Sequence, residues 1–250
     1  MKNIAAAFVF FTRLPFWRLK AFNVAPDYYK QVINYWAVIG WFTASAAAAT
    51  LWLSAQVVPY SIAIIFAILS RLLITGALHE DGLADFFDGF GGGITKERIL
   101  AIMKDSHIGT YGVLSLILYF LMYYLLLDTL SLHLACLVIL AGDPLCKFIA
   151  SQITLFLSYA RTAETSKSKT VYKKMSVKTA IIGCLFGLLP IILLLKFHFW
   201  VAIILPIFVF IAMILLMKRK IQGYTGDCCG ALFLLCELSF YLGIVILQKL

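Results

Sequence analysis

An all-α, polytopic helical membrane protein is the fold class this sequence predicts, and three observations predict it. Apolar residues make up 63% of the chain and charged ones only 13%, far from the balance of a soluble domain. Apolar runs of the roughly 20 residues that a bilayer-spanning helix needs recur along the chain. The basic residues alternate between dense and nearly empty connections from one run to the next.

Met1–Phe11 has a lysine and a short apolar run but no small-x-small cleavage site, and it leads into Thr12-Arg13-Leu14-Pro15. It is expected as an uncleaved interfacial or re-entrant helix, with Trp17 and Arg18 at the headgroup level. Seven spans follow, at Tyr35–Ala55, Val58–Leu78, Ile108–Leu127, Leu132–Tyr159, Thr179–Leu195, Phe199–Met217 and Cys229–Gln248. No linker, low-complexity tract or repeat interrupts them, so residues 1–250 read as one membrane-embedded domain.

The net charge of +9 suggests nucleic acid, but the placement of the basic residues argues against it. Lys2, Arg13, Arg18, Lys20 and Lys30 precede the first span; Lys96, Arg98 and Lys104 follow the second. Arg161, Lys167, Lys169, Lys173, Lys174 and Lys178 follow the fourth, and Lys218, Arg219 and Lys220 the sixth. The alternate connections hold only Lys196 and the terminal Lys249. This bias places the N-terminus in the cytoplasm and the C-terminus outside, and it favours an odd number of spans. The short connections at 56–57, 128–131 and 196–198 then lie outside, with His133 and His198 at that edge. Cys136, Cys146, Cys184 and Cys236 fall within spans and Cys228-Cys229 is adjacent, so neither a disulfide nor a zinc site is expected.

The most informative segment is His79–Gly93, between the second and third spans. It holds Glu80, Asp81, Asp85 and Asp88, although the whole chain has only 12 acidic residues. Asp81, Asp85 and Asp88 recur at i, i+4, i+7 and would project from one helix face. Carboxylates that close repel one another unless a cation sits among them. Hard oxygen donors suit Mg²⁺, which binds through a few carboxylates and keeps positions for water and phosphate. The pattern implies metal-dependent phosphate chemistry at a membrane surface. The glycines that follow, Gly89 and Gly91–Gly93, would let backbone N–H groups approach phosphate oxygens, with Gly91 and Gly92 as substrate contacts.

Beyond the glycines a short amphipathic helix is expected, capped by Thr95, with Ile99, Ile102 and Met103 as its apolar stripe. Lys104, Asp105, Ser106 and His107 then gather at the entry to the third span. There Lys104 would contact phosphate and Asp105 would act as ligand or base, or else Asp105 and Ser106 cap the span. Arg71, Asp143 and Lys147 are intramembrane charges, functional by default, although the i, i+4 pair of Asp143 and Lys147 can also neutralise itself. Asp227 precedes the last span as an N-cap or a ligand.

With these residues in view, the sequence resembles the cobalamin synthase (adenosylcobinamide-GDP ribazoletransferase) family. The resemblance rests on Thr12–Pro15, His79–Gly93, Ile102–Gly112, Tyr159-Ala160-Arg161 and Gly223–Asp227, spread over nearly the whole chain. His107 and Lys147 depart from it, each standing where arginine is expected. The resemblance implies an Mg²⁺-dependent enzyme of the bacterial inner membrane. It would join adenosylcobinamide-GDP to α-ribazole or its 5′-phosphate and release GMP. On that footing Asp81, Asp85 and Asp88 hold the metal, Glu80 or Asp105 is a further ligand or base, and Lys104, Arg161 and His107 contact phosphate. Partners would be those two substrates and the lipid bilayer, without nucleic acid; a homo-oligomer is compatible with the sequence. Two alternatives stand beside it. Asp85-x-x-Asp88-Gly89 echoes the opening motif of CDP-alcohol phosphatidyltransferases, but the Ala-Arg that should follow is absent. A transporter would line its path with Arg71, Asp143 and Lys147, but the other acids gather at one surface and no repeat shows.

Overall fold

A computed structural model describes residues 1–160 and 172–249. Arg161, Lys167 and Lys169 therefore lie outside the described residues. Among those described there is no β-strand, only one isolated bridge between Tyr159 and Tyr224.

The chain opens with α1 (Lys2–Phe11), then short 3₁₀ turns, the last of which (Pro26–Tyr35) runs straight into α2 (Trp36–Ser54). Next come α3 (Tyr60–Thr75), α4 (Leu78–Gly92), α5 (Lys96–Lys104), α6 (Thr110–Asp128) and α7 (Leu132–Ser151). The short α8 (Ile153–Phe156) and α9 (Val177–Leu194) follow, then a 3₁₀ segment (Phe197–Ile203) entering α10 (Ile204–Ile221), and last α11 (Gly226–Lys249). Six of these segments are long and apolar enough to cross a bilayer, and α3 with α4 makes a seventh if the bent pair is one span. Each of the seven expected spans falls on one of them.

Burial sorts the spans. In the α7 segment 78% of the apolar window is buried within the protein, against 28% for α6 and for α9, so α7 is central and those two face outward. α7 packs on α2, α9 and α11, while α11 packs on α4, α6 and α10. α1 buries Ala5, Ala6, Ala7 and Phe11 and packs on α2 and the 3₁₀ segment before it, so it belongs to the packed body, while Trp17 stays exposed.

α3 and α4 meet at 89°. The corner is two successive left-handed residues, Gly76 (φ 64°) and Ala77 (φ 55°). Glycine adopts this conformation freely, whereas alanine does so at about 1 kcal/mol. The Arg13 side chain lies against the Gly76 backbone where a Cβ would stand, and Arg13 N–H donates to the Ile74 carbonyl at 2.7 Å. The Thr12–Pro15 segment thus closes the free end of α3 and leaves α4 to run across the end of the bundle.

Two buried polar clusters cross the helices. Arg71 Nη1 donates to both carboxylate oxygens of Glu237, at 2.6 and 2.7 Å, and its Nη2 bonds the Tyr119 hydroxyl. Tyr119 and Tyr241 hydroxyls also donate to Glu237, at 3.1 and 3.3 Å, and Glu80 lies 3.5 Å from Arg71. The guanidinium sits 4.9 Å above the Tyr123 ring. Beside them, Lys147 Nζ lies 2.5 Å from Asp143 and donates to Thr43 at 2.7 Å, while Thr43 donates back to Asp143 at 2.8 Å. Asp143 and Lys147 are thus paired, one of the two readings open to them, and a hydroxyl from α2 closes the pair.

Removing one partner of a buried, bonded ion pair typically costs about 3–5 kcal/mol. Glu237→Ala should therefore strip most of the folded protein from detergent extracts, and Arg71→Leu with Glu237→Leu should recover more than either single change. Size-exclusion yield and melting temperature measure both.

Candidate active site

α4 carries the acidic motif, and its two ends do different things. At its N-terminal end α4 crosses the start of α11 closely enough that a Cβ on Gly82 would lie 3.1 Å from the Asp227 Cα, and one on Gly230 would lie 3.2 Å from the His79 Cα. This approach brings Asp81 and Asp227, far apart in sequence, onto one cavity of about 540 Å³. Arg13, His79 and Thr75 line it too, with Phe10, Phe11, Tyr29, Trp36, Tyr159 and Tyr172 as its aromatic wall. Asp81 is exposed and Asp227 half-buried. Cys228 N–H donates to the Thr225 hydroxyl at 3.3 Å, so Thr225 supplies the capping oxygen at the head of α11. Asp227 Oδ2 accepts from that same hydroxyl at 3.3 Å.

The Tyr159-Ala160 and Gly223–Asp227 segments also meet. Ala160 N–H donates to the Tyr224 carbonyl at 2.8 Å and Tyr224 N–H to the Ser158 carbonyl at 3.0 Å. The Tyr159-Ala160 and Gly223–Asp227 motifs are thus one structural unit at the cavity rim, and Arg161 follows directly outside the described residues. Burial pushes the Tyr172 and Tyr224 phenols up from their ordinary values, so both stay neutral throughout the neutral range.

The remaining candidates lie elsewhere. Glu80 is buried on the other side of α4 beside Arg71, not in the cavity, which removes it from contact with a substrate there. Asp85 is half-buried one turn beyond Asp81 on the same helix face. Asp88 has both carboxylate oxygens engaged by the head of α6: Gly109 N–H donates at 2.6 Å and Gly112 N–H at 2.8 Å. It caps the third span, a task that Asp105 and Ser106 were the alternative candidates for. A Cβ on Gly109 would come within 2.5 Å of this carboxylate, so the glycines make room for it. Asp105 instead accepts from the backbone N–H of His107 at 3.0 Å and pairs with its ring at 2.7 Å, both residues exposed. That pairing holds Asp105 below the usual carboxylate value, so it stays ionised throughout the neutral range. Lys104 ends α5, exposed.

Gly91 and Gly92 form no phosphate-cradling loop. α4 continues helically through both, and α5 packs back on it, with Gly89 and Gly93 against Met103 and Ile99. The Tyr111 ring covers the place a Gly91 Cβ would take. Thr95 caps α5 as expected, accepting from Arg98 N–H at 3.3 Å, and Ile99 and Met103 are its buried stripe.

Among the described residues no group of three His, Cys, Asp or Glu could hold an ion alone. One or two carboxylates at a solvent-reaching cavity, with the rest of the shell left to water and phosphate, is the way Mg²⁺ binds, so Asp81 and Asp227 fit it.

The sequence reading passed over Glu237, the counter-ion of Arg71. An arginine inside a span needs a partner, and Glu237 is the one acid in the last span, so the rule that flagged Arg71 could have found it. Arg13 and His79 stand within two of the motifs, and the fold places both on the cavity.

Fold and cavity together define a multi-pass helical membrane enzyme with a polar site at one end of its spans. Residues 3–245 match the model of the cobalamin-5-phosphate synthase family. A protein of Shewanella frigidimarina (strain NCIMB 400) is 37% identical over 247 residues, covering 96% of this chain and 92% of that protein. One of Shewanella sp. (strain W3-18-1) is 34% identical over 244 residues, with the same coverage, and one of Shewanella halifaxensis (strain HAW-EB4) is 36% identical over 241 residues, covering 95% and 92%. All three are named adenosylcobinamide-GDP ribazoletransferase. The chain belongs to the cobalamin-5-phosphate synthase family, transferases of cobalamin synthesis. No solved structure matches it.

The capping role of Asp88 separates it from Asp81. Asp88→Asn turns an amide N–H₂ toward one of two backbone donors and should cost about 2 kcal/mol at the head of α6. A drop in melting temperature is expected there, and none in Asp81→Asn. Equal melting temperatures would contradict the cap.

Proposed function

We propose that this protein joins adenosylcobinamide-GDP to α-ribazole, or to its 5′-phosphate, and releases GMP. The observation that carries the proposal is the convergence of Asp81, Asp227, Arg13 and His79 from three family motifs on one cavity. The reaction is an in-line displacement. The ribose hydroxyl oxygen bonds to the phosphorus that bears the cobinamide, the bond from that phosphorus to GMP breaks, and the hydroxyl proton passes to a cavity carboxylate. Asp81 and Asp227 would hold Mg²⁺. When bound, that ion supplies charge neutralisation at the phosphoryl oxygens. Asp227, facing the same cavity from α11, completes the pair, and one of these two carboxylates takes the hydroxyl proton. Arg13, fixed by its backbone bond to α3, offers a planar cation to the diphosphate.

Basic residues crowd the connections at the cavity end of the bundle, which favours a cytoplasmic site in the bacterial inner membrane. A cysteine at Ser106 should react with an impermeant maleimide only in inside-out vesicles, and one at Gln56 only in right-side-out cells. The reverse pattern would overturn the orientation.

Asp81→Asn should fold normally and lose at least tenfold in kcat/KM, roughly 1.4 kcal/mol of transition-state stabilisation. Membranes holding the wild-type chain should release GMP from adenosylcobinamide-GDP and α-ribazole, and EDTA should stop it. Release of CMP from a CDP-alcohol, with no response to the corrinoid, would refute the proposal.

A further inference from the structure

The transfer reaction joins two substrates of unlike size, a corrinoid nucleotide and a small aromatic nucleoside, and the cavity can be asked which it fits. Its wall is a continuous run of rings. Tyr224 packs edge-on to Tyr159 at 5.2 Å, Tyr159 to Tyr172 at 6.3 Å, and Tyr172 to Phe10 at 6.3 Å. Phe10 meets Phe11 at 5.0 Å, Phe11 stacks on Trp36 at 5.2 Å and 11°, and Trp36 meets His79 at 5.2 Å. Of these, all but Tyr224 line the cavity. Flat apolar bases are held by such surfaces through stacking.

Two polar atoms of this wall have no hydrogen-bond partner among the described residues: Trp36 Nε1 and His79 Nε2. Trp36 is 1% exposed and His79 2%. A buried donor or acceptor left unpaired costs about 1–3 kcal/mol, so a ligand that pairs both gains affinity. An indole N–H can only donate. It suits a base with one bare ring nitrogen that only accepts, and a benzimidazole joined to ribose through its other nitrogen is such a base. His79 and Asp81 both line the cavity, on whose wall the ribose hydroxyl must arrive.

Resting on the proposed transfer, we infer that this cavity is the seat of the ribazole nucleoside. Its base packs among Trp36, Phe10, Tyr29 and Tyr172, and its ribose points to His79 and Asp81. A volume of about 540 Å³ suits a drug-sized nucleoside but not a corrin macrocycle carrying a nucleotide. The corrinoid therefore stays outside, and only its diphosphate reaches the carboxylates at the mouth.

The test uses the full-length protein in nanodiscs. With wild type, bare benzimidazole should inhibit competitively against α-ribazole and not against adenosylcobinamide-GDP. Trp36→Phe keeps an aromatic ring and removes the N–H, so the KM for α-ribazole should rise about tenfold while the KM for the corrinoid stays within twofold. Equilibrium dialysis of α-ribazole alone should show saturable binding weakened by the same factor. Competition of benzimidazole with the corrinoid, or a corrinoid KM that moves while the ribazole KM does not, would overturn the assignment. If Trp36→Phe fails to fold, the wild-type inhibition pattern decides. Ribazole that binds with no turnover would sink the reaction and leave the subsite standing, whereas turnover with no ribazole binding to the free enzyme would sink the subsite alone.

Discussion

The bond of Arg71 to Glu237 is the constraint on which the rest depends. A guanidinium inside a span is admissible only with its charge met and its donors used, because hydrocarbon offers neither water nor counter-ions. Glu237 takes two of those bonds, and the Tyr119 hydroxyl takes another. Since Arg71 belongs to α3, Tyr119 to α6 and Glu237 to α11, the requirement ties three spans together at one depth. Glu80, at 3.5 Å, adds α4. Such networks specify one arrangement among the several that greasy helices could otherwise adopt.

Fixing α4 has a chemical consequence. With Glu80 turned inward to Arg71, the helix period sends Asp81 outward, onto the cavity it shares with Asp227. Small residues at the crossing of α4 and α11 let the two backbones touch, which is what joins motifs some 150 positions apart in sequence. The far end of α4 is equally committed, because Asp88 holds the head of α6. One helix of the motif therefore serves as core, as site and as cap, and adjacent acids in it are not interchangeable.

The spans were legible because hydrocarbon demands long apolar helices, and length with hydropathy reports that demand directly. The acidic helix was legible as a site for a similar reason: carboxylates at i, i+4, i+7 beside a membrane require an explanation. The separate tasks of those acids were not. Periodicity places Asp81, Asp85 and Asp88 on one face but says nothing of what packs against each turn of it. Only the fold shows the head of α6 against Asp88 and the head of α11 against Asp81. The glycines after Asp88 misled for a related reason. They suggest a loop when read alone, yet at Gly89 and Gly93 α5 packs so tightly on this helix that side chains would not fit. Asp105 and His107, near the motif in sequence, pair with each other in solvent.

The central claim is that Asp81 and Asp227, not the whole acidic motif, form the metal-bearing end of the cavity. Electron paramagnetic resonance of Mn²⁺ standing in for Mg²⁺ tests it most directly, since it reads bound ion without turnover. Wild type and Asp105→Asn should bind the ion alike, and Asp81→Asn and Asp227→Asn should each weaken it about tenfold or more. An unchanged Mn²⁺ affinity in both Asp81→Asn and Asp227→Asn, with loss in Asp105→Asn, would contradict the account.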